Sequence, residues 1–163
     1  MIAIRKILVP TDFSEPALAA LEYGRVLADE FGARIHLLHV IATPQVGWAI
    51  EGTALNWPTF LEELQADARA RLAKLVPPDD PIFKATTREI VTGAPVEEIL
   101  AYATGQQVDL IVMGTHGRGL VGHMFLGSVA ERVVRRAAVP VLTVHAARLA
   151  ATRAANVAAL VPA

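Results

Sequence analysis

The chain contains no cysteine among its 163 residues, which excludes disulfide bonds and thiolate metal sites. No apolar run approaches the roughly 18 residues that a membrane-spanning helix requires. Arg5, Lys6 and Asp12 come too early for a secretory signal peptide. The formal net charge is −1, with both signs interspersed, and leaves no basic surface typical of nucleic-acid binding. We therefore expect a cytoplasmic protein whose partners are neither nucleic acid nor membrane.

The common catalytic motifs are also missing from the sequence. There is no Gly-x-Ser-x-Gly elbow, no Walker lysine and no His-Glu-x-x-His pair. Neither Ser14 nor Ser128 has an evident partner that would make it a nucleophile. Asp12 by itself could orient a water molecule, which would give slow hydrolysis at best. We predict no catalytic residues and no dedicated metal site.

The hydrophobic pattern alternates between strand-like and helix-like segments. Short apolar runs predict strands, and apolar residues at helical spacing predict helices between them. Such alternation is typical of a parallel sheet with helices on both faces. The sequence therefore predicts a single three-layer α/β/α sandwich with a five-stranded parallel sheet. The predicted strands span 4–9, 34–41, 83–91, 108–113 and 139–144, and the predicted helices span about 14–31, 60–75, 96–104 and 128–137.

Five of the 11 glycines lie between Gly114 and Gly127, after a predicted strand and before a predicted helix. Glycine permits close backbone approach to a ligand, and a helix N-terminus favours anions. The segment also follows the carboxyl end of a strand, where parallel sheets bind ligands. These features predict a phosphate-binding segment, and three phosphate motifs compete for its glycines.

Two of these motifs do not fit their surroundings. Residues 117–122 match the dinucleotide fingerprint, but the predicted helix begins only near Ser128 and the next strand ends without an acidic residue. Residues 122–128 resemble a P-loop in which Ser128 replaces the lysine that contacts the terminal phosphates. The remaining motif is the long spacing from Gly114 through Gly117 to Gly127-Ser128.

That spacing joins two of five segments, which are Ile7-Leu-Val-Pro-Thr-Asp-Phe-Ser14, Leu37-Leu-His-Val40, Asp109-Leu-Ile-Val-Met-Gly-Thr-His-Gly-Arg-Gly119, Leu126-Gly-Ser-Val-Ala130 and Val139-Pro-Val-Leu-Thr-Val144. Taken together in chain order, these segments resemble the universal stress protein family over about residues 2–146. The resemblance implies an adenine nucleotide alpha hydrolase-like fold with strand order 3-2-1-4-5, a family domain at 1–146 and an Ala-rich tail at 147–163.

The resemblance implies an ATP-binding stress-response regulator, with or without Mg2+ or Mn2+ on the nucleotide. Asp12 would approach the ribose or a metal, the Val40 backbone would read the adenine edge, and the glycine segment would hold the phosphates. The implied nucleotide-binding residues are Pro10, Thr11, Asp12, Val40, Met113, Gly114, His116, Gly117, Arg118, Gly119, Gly127, Ser128 and Val129.

Structural roles compete with these assignments. Asp12 or Ser14 could cap the first predicted helix and Ser128 the last, whereas Val40 and Met113 are also suitable core residues. His36 and His39 lie in a predicted strand, where a satisfied core or edge role is the simpler interpretation. The segment 43–58 either forms a lid or covers apolar surface. The tail either packs as a helix or frays.

A second function class is a protein-interaction module that does not bind nucleotide. The last predicted strand is short and apolar, and Pro140 is tolerated only near a sheet edge. The resemblance implies a homodimer that pairs through this edge. The implied dimer residues are Val139, Val141, Leu142, Thr143 and Val144.

Overall fold

The computed structural model describes residues 3–43, 57–115 and 126–145. These residues alternate between strands and α-helices along the chain. None of the helices in these three ranges is both long and apolar enough to cross a membrane. The elements are β1 Lys6–Pro10, α1 Glu15–Phe31, β2 Arg34–Ala42, α2 Trp57–Leu75, β3 Thr86–Gly93, α3 Pro95–Gly105, β4 Leu110–Gly114, α4 Ser128–Arg136 and β5 Val141–Val144.

The five strands form one parallel sheet in the order β3-β2-β1-β4-β5. Helices α1 and α2 cover one face, where Ile7, Val9 and Leu37 pack against Leu21 and Leu72. Helices α3 and α4 cover the other face, around Leu8, Leu38, Ile111, Ile99 and Val133. The predicted three-layer sandwich and its strand order are confirmed.

Several predicted boundaries were wrong. The third strand begins at Thr86, because Phe83–Ala85 forms a short 3-10 turn in which the Ala85 amide donates to the Ile82 carbonyl and the Thr86 amide donates to the Phe83 carbonyl. Helix α2 begins at Trp57, three residues before its predicted start. The last strand begins at Val141, since Val139 and Pro140 form the approach to it. Apolar spacing places an element along the chain but does not locate its ends to the residue.

The first helix begins and ends at residues of the predicted types. Ser14 is its N-cap, and the Ser14 hydroxyl accepts a hydrogen bond from the Ala17 amide at 3.4 Å. Gly32 ends it in a left-handed conformation with φ of 63°, which glycine adopts without steric cost. Of the two caps considered for this helix, Asp12 and Ser14, the structure has Ser14.

His36 has the core role predicted for it. Its Nδ1 lies 3.0 Å from the Tyr102 hydroxyl of α3, and the residue is 7% exposed. Burial, with the charges of Lys6 and Arg34, holds the pKa of His36 below its usual value. Burial, with the charge of Glu89, raises the pKa of Tyr102 to about 12. Both rings are therefore neutral near pH 7, and the pair joins β2 to α3.

Candidate functional site

The strand order reverses at β1, which lies between β2 and β4. Pairing of β1 with β4 ends at Leu8 and Ile111, whereas β4 continues to pair with β5 as far as Gly114 and Val144. The two central strands thus separate before their carboxyl ends. Open parallel sheets bind ligands in such a crevice, so this edge of the sheet is the candidate site.

Asp12 lies in the loop that joins β1 to α1 at this edge. Its Oδ1 accepts hydrogen bonds from the Ser14 amide at 3.0 Å and from the Ser14 hydroxyl. The same hydroxyl caps α1 through the Ala17 amide. Asp12 is therefore coupled to the start of α1 through Ser14, which fixes the carboxylate at the crevice.

Phe13, the next residue, has an uncommon backbone conformation. Its φ is 64°, a left-handed value that is costly for a bulky side chain and persists only when surrounding contacts enforce it. The Phe13 amide donates to the Thr11 hydroxyl at 3.0 Å. Its ring lies 4.5 Å from the His39 ring and 4.0 Å from the Arg71 guanidinium carbon. Contacts from β2 and α2 thus hold the loop in place.

The Val40 backbone faces the crevice because β1 leaves the sheet beside it. The last backbone bond between the two strands is donated by the Thr11 amide to the Leu38 carbonyl at 2.8 Å. Alternate residues of a strand point their peptide groups to the same side, so Val40 points its own groups toward β1 as Leu38 does. In a continued ladder the Val40 amide would donate to the Thr11 carbonyl. That carbonyl instead lies 2.7 Å from His39 Nδ1.

Met113 and Gly114 end β4 on the opposite side of the crevice. The Met113 side chain is 5% exposed and packs in the core beneath α3 and α4, which is the alternative role considered for it. A Cβ atom at Gly114 would lie only 2.6 Å from the Pro16 carbonyl carbon. Close packing of α1 on the end of β4 therefore requires glycine at position 114, whatever else binds there.

The start of α4 supplies peptide groups at the same edge. Gly127 is the N-cap, and its amide donates to the Thr115 carbonyl at 2.5 Å. The Glu131 amide makes the first intrahelical bond, to the Gly127 carbonyl. The amides of Ser128, Val129 and Ala130 therefore have no acceptor within the helix, as in any α-helix. Ser128 is the first helical residue rather than its cap, which corrects that structural interpretation.

The described residues contain no group of three or more His, Asp or Glu side chains that could hold a metal ion by themselves. Predicted site residues Pro10, Thr11, Asp12 and Val40 lie on the β1–β2 side of the crevice. His116, Gly117, Arg118 and Gly119 lie outside the described residues, as do the tail from 147 and most of the 43–58 segment.

The residues predicted at the dimer edge have different surroundings. Leu142 is 38% exposed, whereas Val144 is buried on the α1 side of the sheet. Val141 and Thr143 are half-buried, and Val139 precedes the strand. The edge position of β5 follows from the strand order.

Sequence reasoning missed the cluster of Phe13, His39 and Arg71. A phenylalanine gives no local signal for a left-handed backbone, and Arg71 lies on a helix remote in sequence from β1. His39 was assigned only a satisfied structural role. The signal that could have been used is position, since Phe13 follows β1 and His39 lies in the carboxyl-terminal half of β2, toward the ligand-binding edge.

An open α/β sandwich with a crevice at its reversal of strand order defines a class of ligand-binding folds. Within that class, the family model for "Universal stress protein family" matches residues 3–145. The chain therefore belongs to the universal stress protein family.

Individual relatives and solved structures agree with this assignment. Universal stress protein MJ0531 of Methanocaldococcus jannaschii is 36% identical over 86% of this chain and 81% of its own length. The structure of MJ0577, from the same organism, is 31% identical, with a TM-score of 0.74 over 88% of this chain and 97% of that one. A universal stress protein in complex with cAMP is 27% identical, with a TM-score of 0.55 over 88% of this chain and 98% of that one.

Proposed function

We propose that this protein is a stress-response regulator that binds ATP and hydrolyses it slowly at most. The observation that carries the proposal is the Val40 peptide group facing the crevice beyond the end of β1. Adenine carries a hydrogen-bond donor and an acceptor side by side, at N6 and N1. The Val40 carbonyl and amide would pair with these two groups, as backbone groups do in apolar ligand sites.

The start of α4 supports a phosphate position. The Ser128 and Val129 amides, together with the helix dipole, favour an anion at this end of the helix. Because the Gly127 amide is bonded to Thr115, the amides of Ser128 and Val129 would donate to the phosphates. Gly127 would allow close approach of the phosphates, and the glycines at 117 and 119 would extend this role.

A divalent cation would arrive with the nucleotide. Mg2+ is commonly bound by one or two carboxylates together with substrate phosphates, and the single carboxylate of Asp12 suits that pattern. Such a cation would neutralise charge on the phosphates. The nucleotide found in the cAMP-bound relative, which is also an adenine nucleotide, supports the ligand class.

Calorimetry and thermal unfolding with ATP and Mg2+ test the proposal. ATP at 100 times its dissociation constant should stabilise the protein by about 2.7 kcal/mol, which corresponds to a rise of roughly 5–10 °C in Tm. GTP reverses the donor and acceptor on the base edge and should bind at least about tenfold more weakly. No shift with any adenine nucleotide would contradict nucleotide binding and favour an interaction module. ATP turnover near or above about 1 per second would contradict slow hydrolysis.

We also propose that the protein forms a homodimer through β5. This strand lies at the sheet edge, has only four residues, and exposes 38% of Leu142. An edge strand presents unpaired peptide groups to a second strand, and an apolar side chain adds burial to that contact. The proposed contact residues remain Val141, Leu142, Thr143 and Val144, with Val139 adjacent.

Light scattering at micromolar concentration tests the dimer. The wild-type protein should have twice the mass of one chain, and Leu142→Lys should shift it to the monomer because lysine blocks edge pairing. Val26→Lys is the matched control, since Val26 lies on α1 and is 68% exposed. A monomeric wild type, or a Leu142→Lys protein that stays dimeric, would contradict the assignment.

A further inference from the structure

His39 ends the hydrogen-bond ladder between β1 and β2. Its Nδ1 lies 2.7 Å from the Thr11 carbonyl oxygen, and a carbonyl only accepts hydrogen bonds, so Nδ1 carries the proton. The neighbouring Thr11 amide still bonds to the Leu38 carbonyl of β2. The Thr11 amide thus keeps its bond to the β2 backbone, whereas the Thr11 carbonyl bonds to a side chain.

The diverted carbonyl is the one that Val40 would otherwise use. In a parallel ladder that continued past Leu38, the next bond would run from the Val40 amide to the Thr11 carbonyl. The imidazole of His39 takes that acceptor, and the loop then turns away through Phe13. The Val40 amide therefore stays directed at the crevice rather than at β1.

We propose that His39 is a positioning residue that keeps the Val40 amide open for the base of an adenine nucleotide. This inference rests on the nucleotide-binding function proposed above. His39 acts through Thr11 and does not itself need to contact the ligand. At the end of the β1–β2 ladder, one side-chain hydrogen bond replaces a backbone hydrogen bond. The Val40 amide is thereby left for the ligand.

Phe13 and Arg71 keep the imidazole and the loop in this arrangement. The Phe13 ring contacts His39 at a centroid distance of 4.5 Å, and the Arg71 guanidinium lies over the Phe13 ring at 4.0 Å. A cation over an aromatic face is attractive, and here it opposes the cost of a left-handed phenylalanine. Arg71 reaches the ring from α2, so the loop is held by elements outside its own strand.

Two substitutions at position 39 test the proposal. His39→Leu removes the donor, whereas His39→Asn keeps an N–H group near the position of Nδ1. In His39→Leu the Thr11 carbonyl becomes available to Val40, so exchange of the Val40 amide should slow at least about tenfold in the ligand-free protein. ATP affinity should fall about tenfold, the effect of losing one hydrogen bond. His39→Asn should resemble the wild type in both measurements.

Two further measurements keep the test decisive if His39→Leu does not fold. Long-range 1H–15N correlation of the wild type should show His39 as the Nδ1–H tautomer. Arg71→Gln should shift the amide resonances of residues 11–14 and weaken ATP binding about threefold. Arg69→Gln is the matched control, because Arg69 is exposed on the same helix and donates to Gln65 Oε1 one turn away.

The outcomes separate this inference from the proposed function. Unchanged Val40 exchange in His39→Leu, an Nε2–H tautomer in the wild type, or equal losses in His39→Asn and His39→Leu would each overturn the positioning role. If the wild type binds no adenine nucleotide, the proposed function fails. Val40 exchange and the tautomer, both measured without ligand, then still decide whether His39 diverts the Thr11 carbonyl.

Discussion

Gly114→Ala should destabilise the protein by about 2–3 kcal/mol and lower its Tm by roughly 5–10 °C. The added Cβ would lie 2.6 Å from the carbonyl carbon and 2.7 Å from the carbonyl oxygen of Pro16. These are backbone atoms in the first turn of α1, so they cannot rotate away as a flexible side chain could. Helix α1 must move from β4, and the move disturbs the core they share.

Gly105→Ala is the matched control for this substitution. Gly105 ends α3, and a Cβ there would meet no atom within 4 Å. Alanine has a higher helix propensity than glycine, so this change should be neutral or stabilise by about 0.5 kcal/mol. Urea denaturation of both variants measures the two free energies of unfolding. A Gly114→Ala protein as stable as Gly105→Ala would show that glycine 114 is not required by packing.

Ser128→Pro should weaken ATP binding at least about tenfold and leave the fold intact. Proline has no amide hydrogen, so it removes one proposed phosphate donor, and a hydrogen bond to a charged group contributes about 1.5–3 kcal/mol. Ser128 is the first residue of α4, the position that best tolerates proline. Gly127 before it has φ of −70° and ψ of 156°, which suits a residue that precedes proline.

Ser128→Ala separates the amide from the hydroxyl. It keeps the amide and removes only the side-chain oxygen, so we expect an affinity within about threefold of the wild type. Calorimetry gives the affinities, and thermal unfolding without ligand verifies that α4 is retained. Equal losses in both variants would assign the contact to the hydroxyl. Wild-type affinity in Ser128→Pro would remove this amide from the site.

The strands of the sheet could be predicted because apolar runs mark them locally. Their order could be predicted because the resemblance to a known family implies it. The apolar runs at Ile7–Val9 and Leu110–Met113 mark buried strands, and both lie at the centre of the sheet. Pro140 and the short run after it indicated an edge, where β5 lies. Element ends were predicted less well. The 3-10 turn before Thr86 depends on backbone hydrogen bonds that apolar periodicity does not encode.

The candidate site was only partly predictable. Asp12 and Val40 could be assigned to the carboxyl edge because strand ends are visible in the pattern, and both lie there. The reason that Val40 faces the crevice could not be read, since it depends on a hydrogen bond between His39 and Thr11. Likewise, glycine 114 suggested a ligand contact, whereas a Cβ atom at this position would meet atoms of Pro16.

The class of fold and the family of this protein follow from local patterns in its amino-acid sequence. Both depend on periodicity and motif spacing, which are properties of residues close to one another in the sequence. The tertiary structure decided how the crevice is built: the left-handed Phe13, the Thr11 carbonyl bonded to His39, and α1 packed against Gly114. These features join residues distant in sequence, and their conformations are set by the contacts that folding creates.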